Sequence, residues 1–454
     1  IRMYGGVREG MKELRVWIDS QTEEEIKRGI REAKPMSDYA NLGKSGIMRT
    51  IEDYAMGINF SRAMSVKYGN LLNDAAGTRN YTAIAVGRVM TCVLGMVVIR
   101  EREIRNFVET PFYRVVGSFT DANIEAEWKV VEGSKYFESP LLYKENGFKK
   151  QESAENLIQE LSGKTAVVES IERGTSRKKA PLLFNLAELQ AECSKRFKIS
   201  PDETLKIAQE LYEKKLTTYP RTDARVLSTA VAKEIHKNLN GLMKYESAVL
   251  FLQEIVGFGS HKGLAKTRYV NDKQITDHYA IIPTGQGMSA LSGLSWTSRA
   301  VYDVIVRRFL SIFYPAAVYQ KVAITTKVKE ESFFASFKVL AEPGYLKVVG
   351  VPGEKKGESG SAAGAEAGNV SGSVTSAETG DGSGDNNSGD NGDGNEDMAS
   401  SQAFFEKIQS LKKGMTLPIQ GMEIKEGKTS PPKRYNSGSL ILAMENAGQL
   451  VEDE

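Results

Sequence analysis

Strand-like sequence occurs twice in this chain, with a long helical stretch between the two occurrences. Phe112–Phe119, Ile124–Val131 and Thr165–Glu172 are rich in β-formers with polar alternation. Ala317–Lys329 and Ser332–Leu340 return to that character as a hairpin, and Leu417–Ile424 does so again. An order of helical, β, helical, β, helical is met most simply when the chain leaves one domain, builds another and comes back. At 454 residues it is too long for one core, so two to four domains are expected. The fold class is multidomain α+β. The expected boundaries are 1–107 for a first helical part and 108–180 for a first β part. Residues 181–300 form a second helical domain, 301–424 the second β part, and 425–454 the return of the first helical domain.

Within the helical parts the periodicity is plain. Leu14–Ile18 reads as a short strand, and Thr22–Ala33 as a helix with acids early and bases late, which suits the macrodipole. Lys44–Arg62 repeats Ile47, Ile51, Tyr54, Ala55 and Ile58 at helical spacing, and Arg49 and Asp53 share another face at i and i+4. Tyr81–Phe107 is a long helix ending in charges. Asn185–Phe197 is followed by Ser200-Pro201-Asp202-Glu203, a capping box with proline at the first helical position, which opens Asp202–Lys215. With Leu216–Tyr219 as a strand, this order is winged-helix-like. Further helices are expected at Ser228–Asn238, Tyr245–Val256, Val301–Tyr314 and Ser437–Asn446, and a basic loop at Arg173–Lys179.

Gly353–Ser400 is low-complexity Gly, Ser, Asp, Asn and Ala without an aromatic, so it is expected to be a disordered insertion in a loop. It carries ten acids against two lysines. Subtracting that net −8 from the chain's +2 leaves +10 on the rest, a balance compatible with nucleic acid. Cys92 and Cys193 stand far apart, with no zinc spacing and no disulfide framework, and read as two buried small apolar residues in a reducing cytoplasm. Val89–Ile99, flanked by Arg88 and Arg100, is too short to span a membrane, and no signal peptide is visible. The chain runs from Ile1 to Glu454 without terminal caps, as if cut from a longer protein.

Chemistry concentrates in Thr217-Thr218-Tyr219-Pro220-Arg221-Thr222-Asp223 and Asp277-His278-Tyr279-Ala280-Ile281-Ile282-Pro283-Thr284. A tyrosine can attack phosphorus and keep the phosphate as an ester. The planar fork of Arg221 suits phosphate oxygens. His278 can hold a phosphate or move a proton. The plainer readings are a core tyrosine, an Arg221–Asp223 surface pair, and Thr222 and Asp223 capping the next helix. Of the other histidines, His236 lies on a lysine-flanked helix and His261 in a polar loop.

The Tyr-Pro-Arg-Thr-Asp run and the Asp-His-Tyr-Ala-Ile-Ile-Pro-Thr run resemble the active-site motifs of type IA DNA topoisomerases, above all the topoisomerase III branch. That family usually has a second histidine or an acid where Tyr279 stands. Ala85-Val86-Gly87-Arg88-Val89 and Glu101-Arg102-Glu103-Ile104-Arg105-Asn106-Phe107 resemble its groove-lining helix, with Met90 in place of a common glutamine. Arg49 and Asp53 match a helix-face pair near bound single strand, and read equally as an ordinary ion pair. Thr429-Ser430-Pro431-Pro432-Lys433-Arg434-Tyr435 resembles a later family segment.

The resemblance implies a helical base, a β-rich arch and a helical tyrosine domain. It implies Tyr219, Arg221 and His278 as catalytic residues and Arg49, Asp53, Arg88 and Thr222 as DNA-binding residues. The implied activity is strand passage through a 5′-phosphotyrosine without ATP. Mg²⁺ is implied too, but its acidic ligands belong to a Toprim domain that would precede this chain. The implied state is a cytoplasmic, nucleoid-associated monomer acting on single-stranded DNA, without a membrane partner. A helicase partner is left open. The chain alone is expected to bind single-stranded DNA without relaxing supercoils. Tyrosine recombinases need a His-x-x-Arg element, and relaxases a His-x-His, and neither occurs. The alternative from another class is a non-catalytic winged-helix-type DNA-binding protein.

Ordering the insertion would cost about 1–2 kcal/mol per residue with little burial to offset it. Replacing Gly353–Ser400 by a short Gly/Ser linker is therefore expected to leave the melting temperature nearly unchanged in a thermal scan. A large drop would show that the segment packs on the folded body.

Overall fold

A computed structural model describes residues 10–18, 23–77, 83–119, 124–275, 278–350, 408 and 410–446. The insertion Gly353–Ser400 lies outside the described residues. The chain divides into two compact units, each assembled from separated segments. The first takes residues 1–107, 182–309 and 432–454, and the second takes 108–181 and 310–431.

The second unit is built on an antiparallel sheet of nine described strands. These are β3 (Pro111–Phe119), β4 (Ile124–Lys129), β5 (Leu142–Lys144), β6 (Gly147–Phe148), β7 (Ala166–Lys178), β8 (Ala317–Val328), β9 (Glu331–Glu342), β10 (Thr416–Leu417) and β11 (Ile419–Lys428). Strands from the two sequence segments interleave in the order β10-β7-β8-β9-β4-β3-β6-β5, and β11 pairs with β3. Neither segment closes a sheet without the other. β7 is longer than the sequence reading allowed. Arg173–Lys178, expected as a basic loop, continues the ladder because each residue pairs with Val322 to Ala317 of β8 in turn.

The core of this unit follows from alternation. Val322, Ile324 and Val328 of β8 and Phe333, Ala335 and Phe337 of β9 point inward at every second position. Trp128 stacks on Phe148 with ring centroids 4.8 Å apart, and Phe119 meets Phe333 edge-on at 5.3 Å. The helix Gln151–Leu161, absent from the sequence reading, buries Ala154, Leu157 and Leu161 on one stripe. Burying each of those leucines contributes roughly 1.5–3 kcal/mol. The β8–β9 turn places Glu331 inside, where its carboxylate accepts from Trp128 Nε1 at 2.7 Å and from the Lys135 amide at 3.1 Å.

In the first unit, β1 (Leu14–Arg15) pairs with β2 (Lys34–Pro35), with α1 (Glu23–Arg31) between. α2 runs over Ala40–Ala76, well beyond the expected Lys44–Arg62, because no proline interrupts it and Gly77 closes it in the left-handed region. α3 (Arg88–Arg105) begins later than the expected Tyr81. Ile84 and Val86 instead run extended, and their amides donate to Ser65 Oγ at 2.8 Å and Ser61 Oγ at 2.9 Å. One helical turn of α2 and two extended residues both advance about 6 Å, so the two periods match. α3 then ends in a clamp on the returning chain. Arg100 donates to the Lys433 carbonyl at 2.7 Å and lies over Tyr435, while Arg434 pairs with Glu101.

The remaining α-helices are α4 (Gln151–Leu161), α5 (Leu186–Phe197), α6 (Pro201–Glu213), α7 (Thr229–Leu242), α8 (Val249–Phe258), α9 (Trp296–Ser311) and the short Leu346–Val349, with Ser437–Glu445 last. Ser200 caps α6 by accepting from the Glu203 amide at 3.1 Å, which is one half of the expected capping box. Cys193 is buried, and burial pushes its thiol up to about 12. Cys92, expected inside, is exposed on α3. No helix among the described residues is long and apolar enough to cross a membrane.

The Trp128–Glu331 contact yields a measurable consequence. Glu331→Ala strands the buried Trp128 N–H and takes the acceptor from the part-buried Lys135 amide, so unfolding free energy of the sheet unit should fall by roughly 1–3 kcal/mol, read from the urea midpoint. An unchanged midpoint would show that the buried carboxylate does not hold the sheet.

Candidate active site

The two motif runs meet, although 58 positions separate Pro220 from His278. Thr217 stands opposite Pro283 in an antiparallel bridge. The Thr218 amide donates to the Ile282 carbonyl, and the Thr284 amide to the Leu216 carbonyl, both at 3.0 Å. The Thr218 hydroxyl adds a second pair: it donates to the Ala280 carbonyl at 3.0 Å and accepts from the Ile282 amide at 2.9 Å. Ala280, Ile281 and Ile282 are buried, and this burial anchors the run. Ile281 also bonds Phe184, and Ala280 bonds Val226, so three chain segments converge on one short extended piece.

The bend after Tyr219 is fixed just as fully. Buried Thr222 donates its hydroxyl to the His278 carbonyl at 2.8 Å and accepts from the Ala224 amide at 3.1 Å. Its carbonyl accepts from the Leu186 amide. Asn185, also buried, caps α5 by accepting from the Glu188 amide at 2.9 Å. Its amide nitrogen donates to the Asp223 carbonyl at 3.1 Å and to Glu445 of the last helix. Arg225 pairs with Glu188 at 2.8 Å. Asn185, Thr218 and the Arg225–Glu188 pair were not singled out in sequence. Only Asn185, standing directly before a helical run, carried a signal.

On this frame Tyr219 is half-buried and its ring centroid lies 4.5 Å from that of His278, tilted 47°. Tyr212 of α6 meets Tyr219 edge-on at 5.3 Å. His278 and Arg221 are exposed. Arg221 opens onto a shallow cleft of about 350 Å³ along α6, lined also by Asp202, Lys206, Glu210 and Glu213. Asp202 and Glu210 are paired there with Lys206 and Lys214. Among the described residues Arg221 makes no ion pair, so its guanidinium remains available. Next to His278, Tyr279 keeps some surface, yet its phenol is densely surrounded and burial pushes it up to about 12. Asp277 lies outside the described residues.

Arg49, Asp53 and Arg88 form a cluster of their own. Arg88 grips Asp53 with two bonds of 2.5 and 2.9 Å, and Arg49 approaches it at 4.0 Å. The Arg88 hydrogen bond holds the Asp53 carboxyl below the usual carboxylate range, and Asp53 raises Arg88. No hydrogen bond among the described residues links this cluster to Tyr219, Arg221 or His278. Nor do the described residues gather three or more His, Cys, Asp or Glu side chains that could hold a metal. The Mg²⁺ implied by the resemblance therefore finds no ligand set here, and no step is routed through it.

A tyrosine lies against a histidine, and two residues on stands an arginine that makes no ion pair among the described residues. Comparison with known proteins gives the family. A family model described as DNA topoisomerase matches residues 37–381, and the chain belongs to the type IA DNA topoisomerase family. It is 30% identical over 443 residues to DNA topoisomerase 3 of Bacillus subtilis (strain 168), covering 97% of this chain and 51% of that protein. It is 28% identical to the DNA topoisomerase 3 of Bacillus licheniformis, with the same coverage. Full-length topoisomerase I from Thermotoga maritima shares the fold, with a TM-score of 0.57 at 20% identity, over 96% of this chain and 58% of that one. The chain thus spans about half the length of the curated relatives it matches.

Thr222 ties the two motifs together, and its loss should be seen in stability. Thr222→Val leaves the His278 carbonyl and the Ala224 amide unpartnered at nearly constant volume, so unfolding free energy should drop by about 1–3 kcal/mol. Thr222→Ser, which keeps the hydroxyl, should retain most of it. Equal thermal midpoints for the Val and Ser variants would show that the hydroxyl does not fasten the site.

Proposed function

We propose that Tyr219 is the nucleophile of a DNA strand-passage enzyme, and the observation that carries this reading is its ring contact with His278. The Tyr219 oxygen attacks a phosphodiester of single-stranded DNA in line. A bond forms from that oxygen to phosphorus, and the bond from phosphorus to the 3′ oxygen breaks. The tyrosyl proton is given up and the 3′ oxygen gains one. One ester replaces another, so religation is the reverse step and needs no ATP.

Arg221 neutralises charge on the phosphoryl oxygens in the transition state. His278 holds the scissile phosphate or moves the proton. Thr222, whose hydroxyl is committed to the His278 carbonyl, acts by positioning rather than by touching DNA. Arg49 and Arg88 contact the strand's backbone, with Asp53 setting their orientation. The sheet unit takes the part of the arch. Mg²⁺ ligands, and with them relaxation, belong to protein beyond the half-length spanned here. A basic body without the insertion's acids supports single-strand binding whose affinity falls steeply with salt.

The test compares this chain with a protein extended to the full length of its relatives. The extended protein should form a covalent adduct with single-stranded DNA and relax supercoils, and Tyr219→Phe should abolish both while changing single-strand affinity less than about two-fold, since a phenol oxygen contributes little to backbone binding. The chain alone should bind single-stranded DNA without relaxing supercoils. An adduct that persists in Tyr219→Phe would remove Tyr219 from the chemistry.

A further inference from the structure

β7, β8 and β9 lie side by side in the sheet unit, and Val322, Ile324, Ala335 and Phe337 turn one of their faces to the core. The residues between these point the other way. On that other face Lys321 of β8 stands directly opposite Lys338 of β9 on one side and Gly174 of β7 on the other. Tyr319 and Lys178 share the face, at even spacing from Lys321 and Gly174. Lys338 Nζ lies 4.2 Å from the centroid of the Tyr319 ring, which holds the ammonium over the sheet. Among the described residues Lys178, Lys321 and Lys338 make no ion pair, and the acid of the same face, Glu172, stands opposite Ala323. Burial, then Lys321, then Lys178 hold the Lys338 ammonium below the usual lysine range, so the three charges are near enough to repel one another. Gly174 is not in the left-handed region, and a Cβ added to it would meet nothing within 4 Å. Neither its backbone nor its packing among the described residues calls for glycine.

We propose that this face binds the phosphodiester backbone of a single nucleic-acid strand, with Lys178, Lys321 and Lys338 on its phosphates and Gly174 leaving room for its approach. The site is separate from Tyr219, which belongs to the other unit, and independent of the reading given for it. Like charges directly opposite each other across a ladder destabilise a sheet, and an anion between them turns the repulsion into attraction. An ammonium group donates and cannot accept, so the ligand must supply acceptor oxygens. A glycine inside a strand weakens it, and marks a place where another backbone comes close. Three ammonium groups spread over three strands suit an anion that repeats its charge along a chain. Nucleic acid is the polyanion that a member of a DNA topoisomerase family meets. A free phosphate ion offers the same oxygens, and the two sources separate by experiment.

The test reads each lysine separately. The whole chain is acetylated at lysine with and without a short oligothymidylate, and the rate at each position is followed by mass spectrometry. Saturating oligothymidylate is expected to slow Lys178, Lys321 and Lys338 roughly five-fold or more, since a charge-assisted bond to phosphate withholds the amine. Inorganic phosphate, at ionic strength matched with sodium chloride, is the second arm. Slowing by phosphate but not by oligothymidylate identifies a free ion and overturns the strand assignment. Lys321→Gln with Lys338→Gln should flatten the logarithmic salt dependence of oligothymidylate binding by about 1.4, two contacts at about 0.7 each for a single strand. Its thermal midpoint should not fall, because two opposed like charges are removed. Gly174→Val fills the open space with a better strand former, so it should weaken binding roughly three-fold or more without lowering the midpoint. The footprint on the unaltered chain decides if either variant loses stability. Unchanged acetylation of the three lysines under saturating oligothymidylate, or an unchanged salt slope in a stable double variant, overturns the proposal. The Tyr219 adduct is a separate readout, so failure of one reading is distinguishable from failure of the other.

Discussion

The first unit depends on the antiparallel pairing of Leu216–Thr222 with His278–Thr284. These runs enclose α7, α8 and the turns after them, so the pairing closes a loop of dozens of residues. Each buried hydrogen bond contributes only about 1 kcal/mol net, and the closure works because several act together with the burial of Ala280, Ile281 and Ile282. Two side chains, Thr218 and Thr222, supply bonds where the regular ladder stops. Beyond the pairing, Gly285 turns the chain with φ +77° against Gly241, where an added Cβ would come within 2.1 Å of the Gly285 carbonyl oxygen. That approach of backbone to backbone fixes where α7 ends.

A matched seam organises the N-terminal helices of the same unit. Gly57, Ser61, Ser65 and Gly69 recur every four residues on α2, and the two serines receive alternate amides of the extended run before α3. Arg88 then bonds Asp53, one turn before Gly57. This has a cost for reading charges as ligand contacts. Arg88, Arg100 and Arg434 each already hold a protein partner, and among the described residues Arg221 has no ion pair. A guanidinium that must leave a carboxylate gains less from a phosphate than one that is free. Under the proposed function the electrostatic weight of the site therefore falls on Arg221, while the paired arginines align helices and leave part of each fork to solvent.

Much of the fold was legible because its signals are local. The strands β3, β4, β8 and β9 show alternation, Ser200 stands before Pro201 as a cap should, and the return of β character after the helical stretch is reproduced by strands that interleave in one sheet. What could not be read depends on distant partners. Arg173–Lys178 is basic and loop-like by composition, and becomes strand only because β8 lies beside it over its whole length. Residues 83–87 fall in a stretch expected to be helical, and lie outside any helix because Ser65 and Ser61 take the Ile84 and Val86 amides. In the candidate site the chemical side chains were evident from residue type and order, whereas Thr218 and Asn185 were not. A threonine in a strand and an asparagine before a helix are ordinary until the fold gives the one two partners and the other three.

The site divides its atoms by task. Around Tyr219 the side chains of Thr218, Thr222 and Asn185 hold the bend, each with two or more internal bonds, while the buried Thr217 hydroxyl has no partner among the described residues. The Tyr219 hydroxyl, the Arg221 guanidinium and the His278 ring make no hydrogen bond among the described residues, and Arg221 and His278 face solvent. A histidine or arginine retained for packing would be expected to be satisfied by its surroundings, as Arg308 is in part by the Leu182 carbonyl and the face of Phe184. Here the frame is largely bonded and the Tyr219, Arg221 and His278 side chains it carries are not. Under the function proposed above, freedom confined to these side chains on a held backbone lets the site bind an external group without reorganising the protein, as a preorganised phosphoryl-transfer site requires.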